Sequence, residues 1–323
     1  MARLAQLPAS LRTALVERRA LKVIAGLTNF DAASVERISR AAGLGGADVI
    51  DVACDPELVR LAAEVSGLPI CVSAVDPELF PAAVAAGAAM VEIGNYDAFY
   101  PLGRIFDAAE VLAITRRTRE LLPEVVLSVT VPHVLPLDQQ EQLAVDLVAA
   151  GADIIQTEGG TSAKPFSAGS LGLIEKAAPT LAAAHSISRA LVAAEQAVPV
   201  LCASGLSAVT VPMAIAAGAA GVGVGSAVNK LNDQLAMVAV VRGLREALGS
   251  PDKAANGGAS LNPGLARGQG VARPAMGSKL RVRHGPNRAE VLWNEAALPL
   301  GVEVDGYNTA LEAAAVIGQL GTL

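Results

Sequence analysis

Eight short runs of β-branched and apolar residues recur along this chain, and two kinds of lead-in alternate before them. The runs fall at 22–28, 49–54, 70–75, 90–94, 125–131, 153–158, 200–204 and 221–226. A Gly-Ala step precedes the second, fourth, sixth and eighth, at Gly46-Ala47, Gly87-Ala88, Gly151-Ala152 and Gly218-Ala219. Proline precedes the third, fifth and seventh, at Pro69, Pro123 and Pro199. Glycine just past a helix takes the positive φ that ends it. Proline suits a strand start, where no ladder donor is needed. The stretches between, such as 56–66 and 138–150, are rich in Ala and Leu with helical periodicity. Apolar strands alternating with helices call for a parallel sheet covered by helices. Eight units of two alternating types match a (β/α)8 TIM barrel, whose core is layered from alternate strands. An open doubly wound sheet is the runner-up, and it gives no reason for eight.

The barrel is expected over residues 21–248, after an N-terminal helix within 1–20 and before a C-terminal extension at 249–323. Leu11, Leu15 and Arg18 are spaced along an amphipathic helix from Leu7 to Arg19, which either plugs the barrel floor or lies on the surface. Residues 251–277 are rich in Gly, Ala, Pro and Asn, as a linker is. Beyond them, 279–284 and 289–294 flank Gly285-Pro286-Asn287-Arg288 like a β-hairpin, with a strand at 301–305 and a helix at 309–320.

Hydrophobic residues make up 52% and charged residues 17%, enough for a large core and wrong for disorder. The longest apolar runs, such as 214–224, are Ala/Gly-rich and too short for a membrane span. A net charge of −6 without a basic cluster in the main body argues against nucleic acid as a partner. The start has no long apolar run, so no secretory signal is expected. Cys54, Cys71 and Cys202 have no paired spacing, which fits a reducing, cytoplasmic setting. With three histidines and no CxxC or HExxH, no dedicated transition-metal site is expected.

Barrel sites lie at the C-terminal ends of the strands. Gly205 and Ser207 follow the seventh strand, and Gly225 and Ser226 end the eighth, so glycine-exposed N–H groups and helix starts there suit a phosphate. The phosphate belongs to a sugar phosphate or to FMN; the cofactor is otherwise unknown. The Gly-Ala register puts Asp51, Glu92, Gln156 and Glu158 on one side of their strands. In the lumen they would need partners, and Lys22 is one candidate. Otherwise they form a structural network, or Asp51 and Glu92 face the helices and cap them, with Lys22 on the surface of the floor. His133 follows the fifth strand and suits proton transfer; the alternative is a plain polar loop residue. Lys164 lies on a loop opened by Gly159 and Gly160, a candidate lid, and either binds an anion or is simply exposed.

The runs Val-Glu92-Ile-Gly-Asn-Tyr-Asp-Ala-Phe-Tyr100, Leu-Ser-Val-Thr-Val-Pro-His133, Asp153-Ile-Ile-Gln-Thr-Glu-Gly-Gly160 and Cys202-Ala-Ser-Gly-Leu-Ser207 resemble the hypothetical chloroplast reading frame 23 family of cyanobacteria and algal plastids. The resemblance covers about 21–248. It implies a ribulose-phosphate-binding type of barrel related in form to aldolases, and no established activity.

Two function classes remain. One is an enzyme on a small phosphorylated metabolite, with Glu92 and Glu158 as acid and base tuned by Asp51 and Lys22. Isomerase, epimerase or lyase chemistry fits better than hydride transfer, since no dinucleotide fingerprint appears, and an FMN-dependent barrel is the enzyme alternative. The other is a non-catalytic metabolite-binding regulator. A homo-oligomer is compatible with either.

Overall fold

The computed structural model describes residues 3–159 and 164–249, and the backbone of Leu280–His284, Ala289–Trp293 and Ala296–Ala297. Eight parallel strands close in sequence order: β1 Ala20–Gly26, β2 Val49–Ala53, β3 Ile70–Ala74, β4 Met90–Ile93, β5 Val126–Thr130, β6 Ile154–Gln156, β7 Val200–Ala203 and β8 Gly221–Val224. β8 pairs back onto β1 through Ala20↔Gly221 and Lys22↔Gly223, so this sheet has no free edge. The helices are α1 Ala9–Val16, α2 Ala32–Gly45, α3 Pro56–Ser66, α4 Phe80–Ala85, α5 Ala108–Leu121, α6 Leu137–Ala149, α7 Gly169–Ala193, α8 Val211–Ala216, α9 Ser226–Asn229 and α10 Gln234–Ala247.

Local chemistry explains the alternation. Gly46, Gly87, Gly151 and Gly218 have φ of 85°, 114°, 108° and 118°, the left-handed geometry that ends one helix and aims the chain at the next strand. At the other end of the helices, Asp31, Asp55, Asp107 and Asp233 accept hydrogen bonds from the first free N–H groups of α2, α3, α5 and α10. Those aspartates are thereby accounted for as caps.

The lumen is stratified. At its N-terminal end Val49, Cys71, Met90, Val126, Ile154 and Leu201 form one buried cluster with Leu7, Leu11, Ala14 and Leu15. Helix α1 therefore plugs the floor. Outward-facing residues such as Val23, Ile50, Val72, Val91 and Leu127 pack with the inner faces of the helices. β1 begins at Ala20, two residues before the start expected from sequence. That shift lifts Lys22 off the rim of the floor and into the middle of the lumen, where it is 1% exposed. Asp51 and Glu92 also face the lumen and do not cap helices.

Backbone contacts divide the chain into two compact units, residues 1–258 and 259–323. In the second, β9 Leu280–His284 and β10 Ala289–Trp293 pair antiparallel with Ala289 opposite His284, the expected hairpin, and β11 Ala296–Ala297 extends it. The expected linker at 251–277, strand at 301–305 and helix at 309–320 lie outside the described residues. No helix among the described residues is long and apolar enough to cross a membrane. Cys54, Cys71 and Cys202 are buried free thiols.

Candidate functional site

Two acidic clusters occupy the lumen, one above the other. The lower is built around Lys22, whose Nζ lies 2.5 Å from Glu92 Oε2 and 3.2 Å from Asp51 Oδ2. Ser73 donates to Asp51 Oδ1 at 2.6 Å and Ser128 to Glu92 Oε2 at 2.8 Å. Gln156 Nε2 donates to Glu92 Oε1 at 2.6 Å and to Thr130 Oγ1 at 3.2 Å. Burial would lower the Lys22 pKa, but the neighbouring Glu92 and Asp51 outweigh it and hold the ammonium charged well above its ordinary range. Burial pushes Asp51 up to about 6 against the pull of Lys22, with the Glu92 charge adding to the rise. This cluster is sealed, with Lys22 and Asp51 each 1% exposed and Glu92 at 0%.

The upper cluster sits at the C-terminal mouth. Glu158 Oε1 accepts from the Tyr100 hydroxyl and, at 3.2 Å, from the His133 backbone N–H, while His133 Nδ1 lies 3.1 Å away. Asp97 Oδ1 is 3.7 Å from the same Nδ1, and Ser204 Oγ donates to Asp97 Oδ2 at 3.2 Å. Glu158 Oε2 has no hydrogen-bond partner among the described residues, although Glu158 is only 2% exposed. Burial raises the Glu158 pKa above the usual carboxylate range, against the lowering effect of the His133 hydrogen bond. His133 is driven down by burial but raised on balance by its hydrogen bond to Glu158 and by the charges of Glu158 and Asp97. The two groups therefore favour a shared proton.

Glu158 also lines a pocket of about 270 Å³, together with Gln156, Asn95, Asp97, Ser204, Gly205, Gly225, Ser226, Asn229 and Lys230 among others. Ser204 and Gly205 both have φ of 74°, and Asn95 has φ of 69°. Non-glycine residues seldom adopt that conformation, and here two of them shape one pocket wall. The glycines of β8 separate by role. A Cβ on Gly221 would meet Ala20 O at 2.5 Å, and one on Gly223 would meet Ala203 Cβ at 2.9 Å, so both serve close packing. At Gly225 the nearest atom is Ile24 O at 3.4 Å, and that residue opens onto the pocket.

The structure thus brings Glu158, His133, Gly205, Gly225 and Ser226 to one mouth and sets Lys22, Asp51 and Glu92 beneath it. Ser207 is not among the lining residues; its N–H is donated to Thr210 Oγ1 at 3.0 Å, inside the turn that starts α8. Exposed Lys164 does not line the pocket either, and Gly160 lies outside the described residues. The helix after Gly225 has only four residues, so its dipole contributes little and the corner depends on backbone N–H groups. Sequence reasoning missed Asp97, Tyr100, Ser204, Asn229 and Lys230. Each follows a strand end, and Lys230 makes no ion pair among the described residues.

Two groups among the described residues have the spacing of a cation site: Asp51, Cys71 and Glu92, and Asp97, His133 and Glu158, each with ligand atoms within 4.8 Å of one another. In the lower group the Lys22 ammonium already takes the cation's place. In the upper group His133 Nδ1 lies 3.1 Å from Glu158 Oε1 and 3.7 Å from Asp97 Oδ1.

A family profile described as "Protein of unknown function (DUF561)" matches residues 7–253. "Uncharacterized protein ycf23" of Cyanophora paradoxa is 43% identical over 225 residues, covering 69% of this chain and 90% of that one. Its namesake in Pyropia yezoensis is 36% identical over 239 residues, covering 74% and 86%. Among solved structures, "3-Hexulose-6-Phosphate Synthase" is similar at TM-score 0.49 and 18% identity, covering 71% of this chain and 99% of that one. A putative deoxyribose-phosphate aldolase from Toxoplasma gondii is similar at TM-score 0.49 and 16% identity, covering 73% and 98%.

Proposed function

We propose that this chain, which belongs to the family described as Protein of unknown function (DUF561), binds a small phosphorylated metabolite at its barrel mouth and moves a proton on it. The observation that carries the reading is the division of labour within Glu158. Oε1 is held by Tyr100 and by both nitrogens of His133 that face it, while Oε2 is buried without a partner among the described residues, in a residue that lines the pocket. A carboxylate fixed through one oxygen and free at the other is oriented as a general base, and burial supplies the raised pKa that such work needs. His133 holds Glu158 in place and shares its proton.

The phosphate would sit against the Ser204-Gly205 and Gly225-Ser226 turns, where bare backbone can approach it, with Lys230 supplying counter-charge from the rim. Lys22, Asp51 and Glu92 then act only through the floor on which the site stands. A pocket of about 270 Å³ fits a ligand of a few carbons better than a flavin, since drug-sized sites run from roughly 300 to 1,000 Å³. A yellow purified protein would decide for FMN instead.

Isothermal titration calorimetry with inorganic phosphate tests the corner. The Gly225→Val variant should bind about tenfold more weakly or not at all, because its branched side chain fills the backbone approach, a loss of about 1.4 kcal/mol or more. Unchanged affinity in a folded Gly225→Val protein would end the phosphate reading.

A further inference from the structure

The orientation of three side chains restricts what the pocket can hold. Gln156 Nε2 donates to Glu92 Oε1 at 2.6 Å, and a carboxylate paired with an ammonium can only accept. The amide cannot flip without setting its carbonyl oxygen against a carboxylate. Gln156 Oε1 is therefore locked away from Glu92, and among the described residues it has no partner. Asn229 is fixed in the same way, its Nδ2 donating to the carbonyls of Ile24 at 2.7 Å and Ala25 at 3.2 Å. Its Oδ1 is also unpartnered among the described residues. Glu158 Oε2 is the third such oxygen, and all three residues line the one pocket.

With Glu158 ionised, an amide oxygen, a second amide oxygen and a carboxylate oxygen cannot satisfy one another, since each is only an acceptor. Donors must come from outside the protein, from water in the pocket or from a donor-rich ligand that replaces it, and leaving such buried acceptors bare is costly. We propose that the ligand is a polyhydroxylated phosphate monoester, and that Gln156, aimed by Lys22 and Glu92 beneath it, is the residue that selects hydroxyl over carboxylate. This deepens the phosphorylated-metabolite reading and rests on it. A phosphate ester carrying a carboxylate would bring a second anion against three acceptors. A short polyol or sugar chain brings one hydroxyl to each. The buried lysine of the floor thus reaches the ligand through two hydrogen-bonded neighbours, which gives a reason for a charge in the middle of an apolar barrel.

Glycerol 3-phosphate and 3-phosphoglycerate test this cleanly, because they differ only by a terminal CH2OH in place of a carboxylate. Titration of the full-length chain should show glycerol 3-phosphate binding about tenfold or more tightly than 3-phosphoglycerate, and a pentulose 5-phosphate tighter still. Gln156→Met should keep affinity for inorganic phosphate within about twofold while reducing that preference to about threefold or less. Equal binding of the two esters by the native chain, or a preference for the carboxylate, overturns this inference and leaves the phosphate corner standing. Absence of binding by phosphate and every ester removes both.

Discussion

The lower and upper clusters of the lumen use the same residue types to opposite ends. In the lower, an ammonium sits between two carboxylates, and Ser73, Ser128 and Gln156 donate to them. In the upper, a histidine and a tyrosine hold one oxygen of a glutamate, and the other is buried without a partner among the described residues. The first arrangement sets one permanent cation between two carboxylates; the second gives its carboxylate only a histidine and a tyrosine. Burial alone therefore does not mark an active carboxylate, for Glu92 is buried as deeply as Glu158. What distinguishes them is whether a permanent cation has been supplied.

The comparison breaks most readily at Lys22. Lys22→Met strands Asp51 and Glu92 in the lumen, and should cost about 3–5 kcal/mol in chemical denaturation at neutral pH. A neutral effect would mean the floor is not held by its ion pairs. Asp51 adds a signature of its own. Its folded-state pKa is pushed up to about 6 from an ordinary 3.8, so between these values the folded chain holds a proton that the unfolded chain has lost. Its contribution is full at the acid end of that window and falls as the pH rises through about 6. Asp51→Asn should flatten this slope.

At the upper cluster the expected change is in titration. Glu158 and Asp97 raise the His133 pKa above its ordinary value, against burial. Removing the charge in Glu158→Gln should lower it, read as the midpoint of the His133 ring signals in an NMR titration. A midpoint that stays put would show that Glu158 carries no charge beside His133. The smallest effects belong to the corner's edge. Lys230→Ala should weaken phosphate binding about two- to fivefold, and less at high salt. Ser207→Ala should leave it within about twofold, since the hydroxyl it removes faces Thr210 Oγ1 at 3.4 Å in a residue that does not line the pocket.

The barrel was legible because its strand lead-ins are local requirements. A positive φ at Gly46, Gly87, Gly151 and Gly218 needs glycine wherever the helix ends, whatever surrounds it. Lys22 was harder. A two-residue difference in where β1 starts decides between floor rim and lumen centre, and strand starts carry no signal that sharp. Tyr100 and Asp97 were hidden because they follow β4 through two single-turn helices, Tyr96–Ala98 and Tyr100–Leu102, and their reach to Glu158 and Ser204 is a tertiary fact. The glycines of β8 illustrate a third limit. Gly221 and Gly223 read in sequence like Gly225, yet only their neighbours reveal that the first two are packed and the third is open.

The central claim is that the upper carboxylate moves protons and the lower cluster only supports it. Deuterium incorporation from solvent into a pentulose 5-phosphate, followed by NMR at the carbons beside its carbonyl, tests this whatever bond the complete reaction goes on to make or break. The native chain and Asp51→Asn should both catalyse the exchange, and Glu158→Gln should lose it by about a hundredfold or more, the usual scale for removing a general base. Exchange that survives in Glu158→Gln and disappears in Asp51→Asn would reverse the assignment of the two clusters.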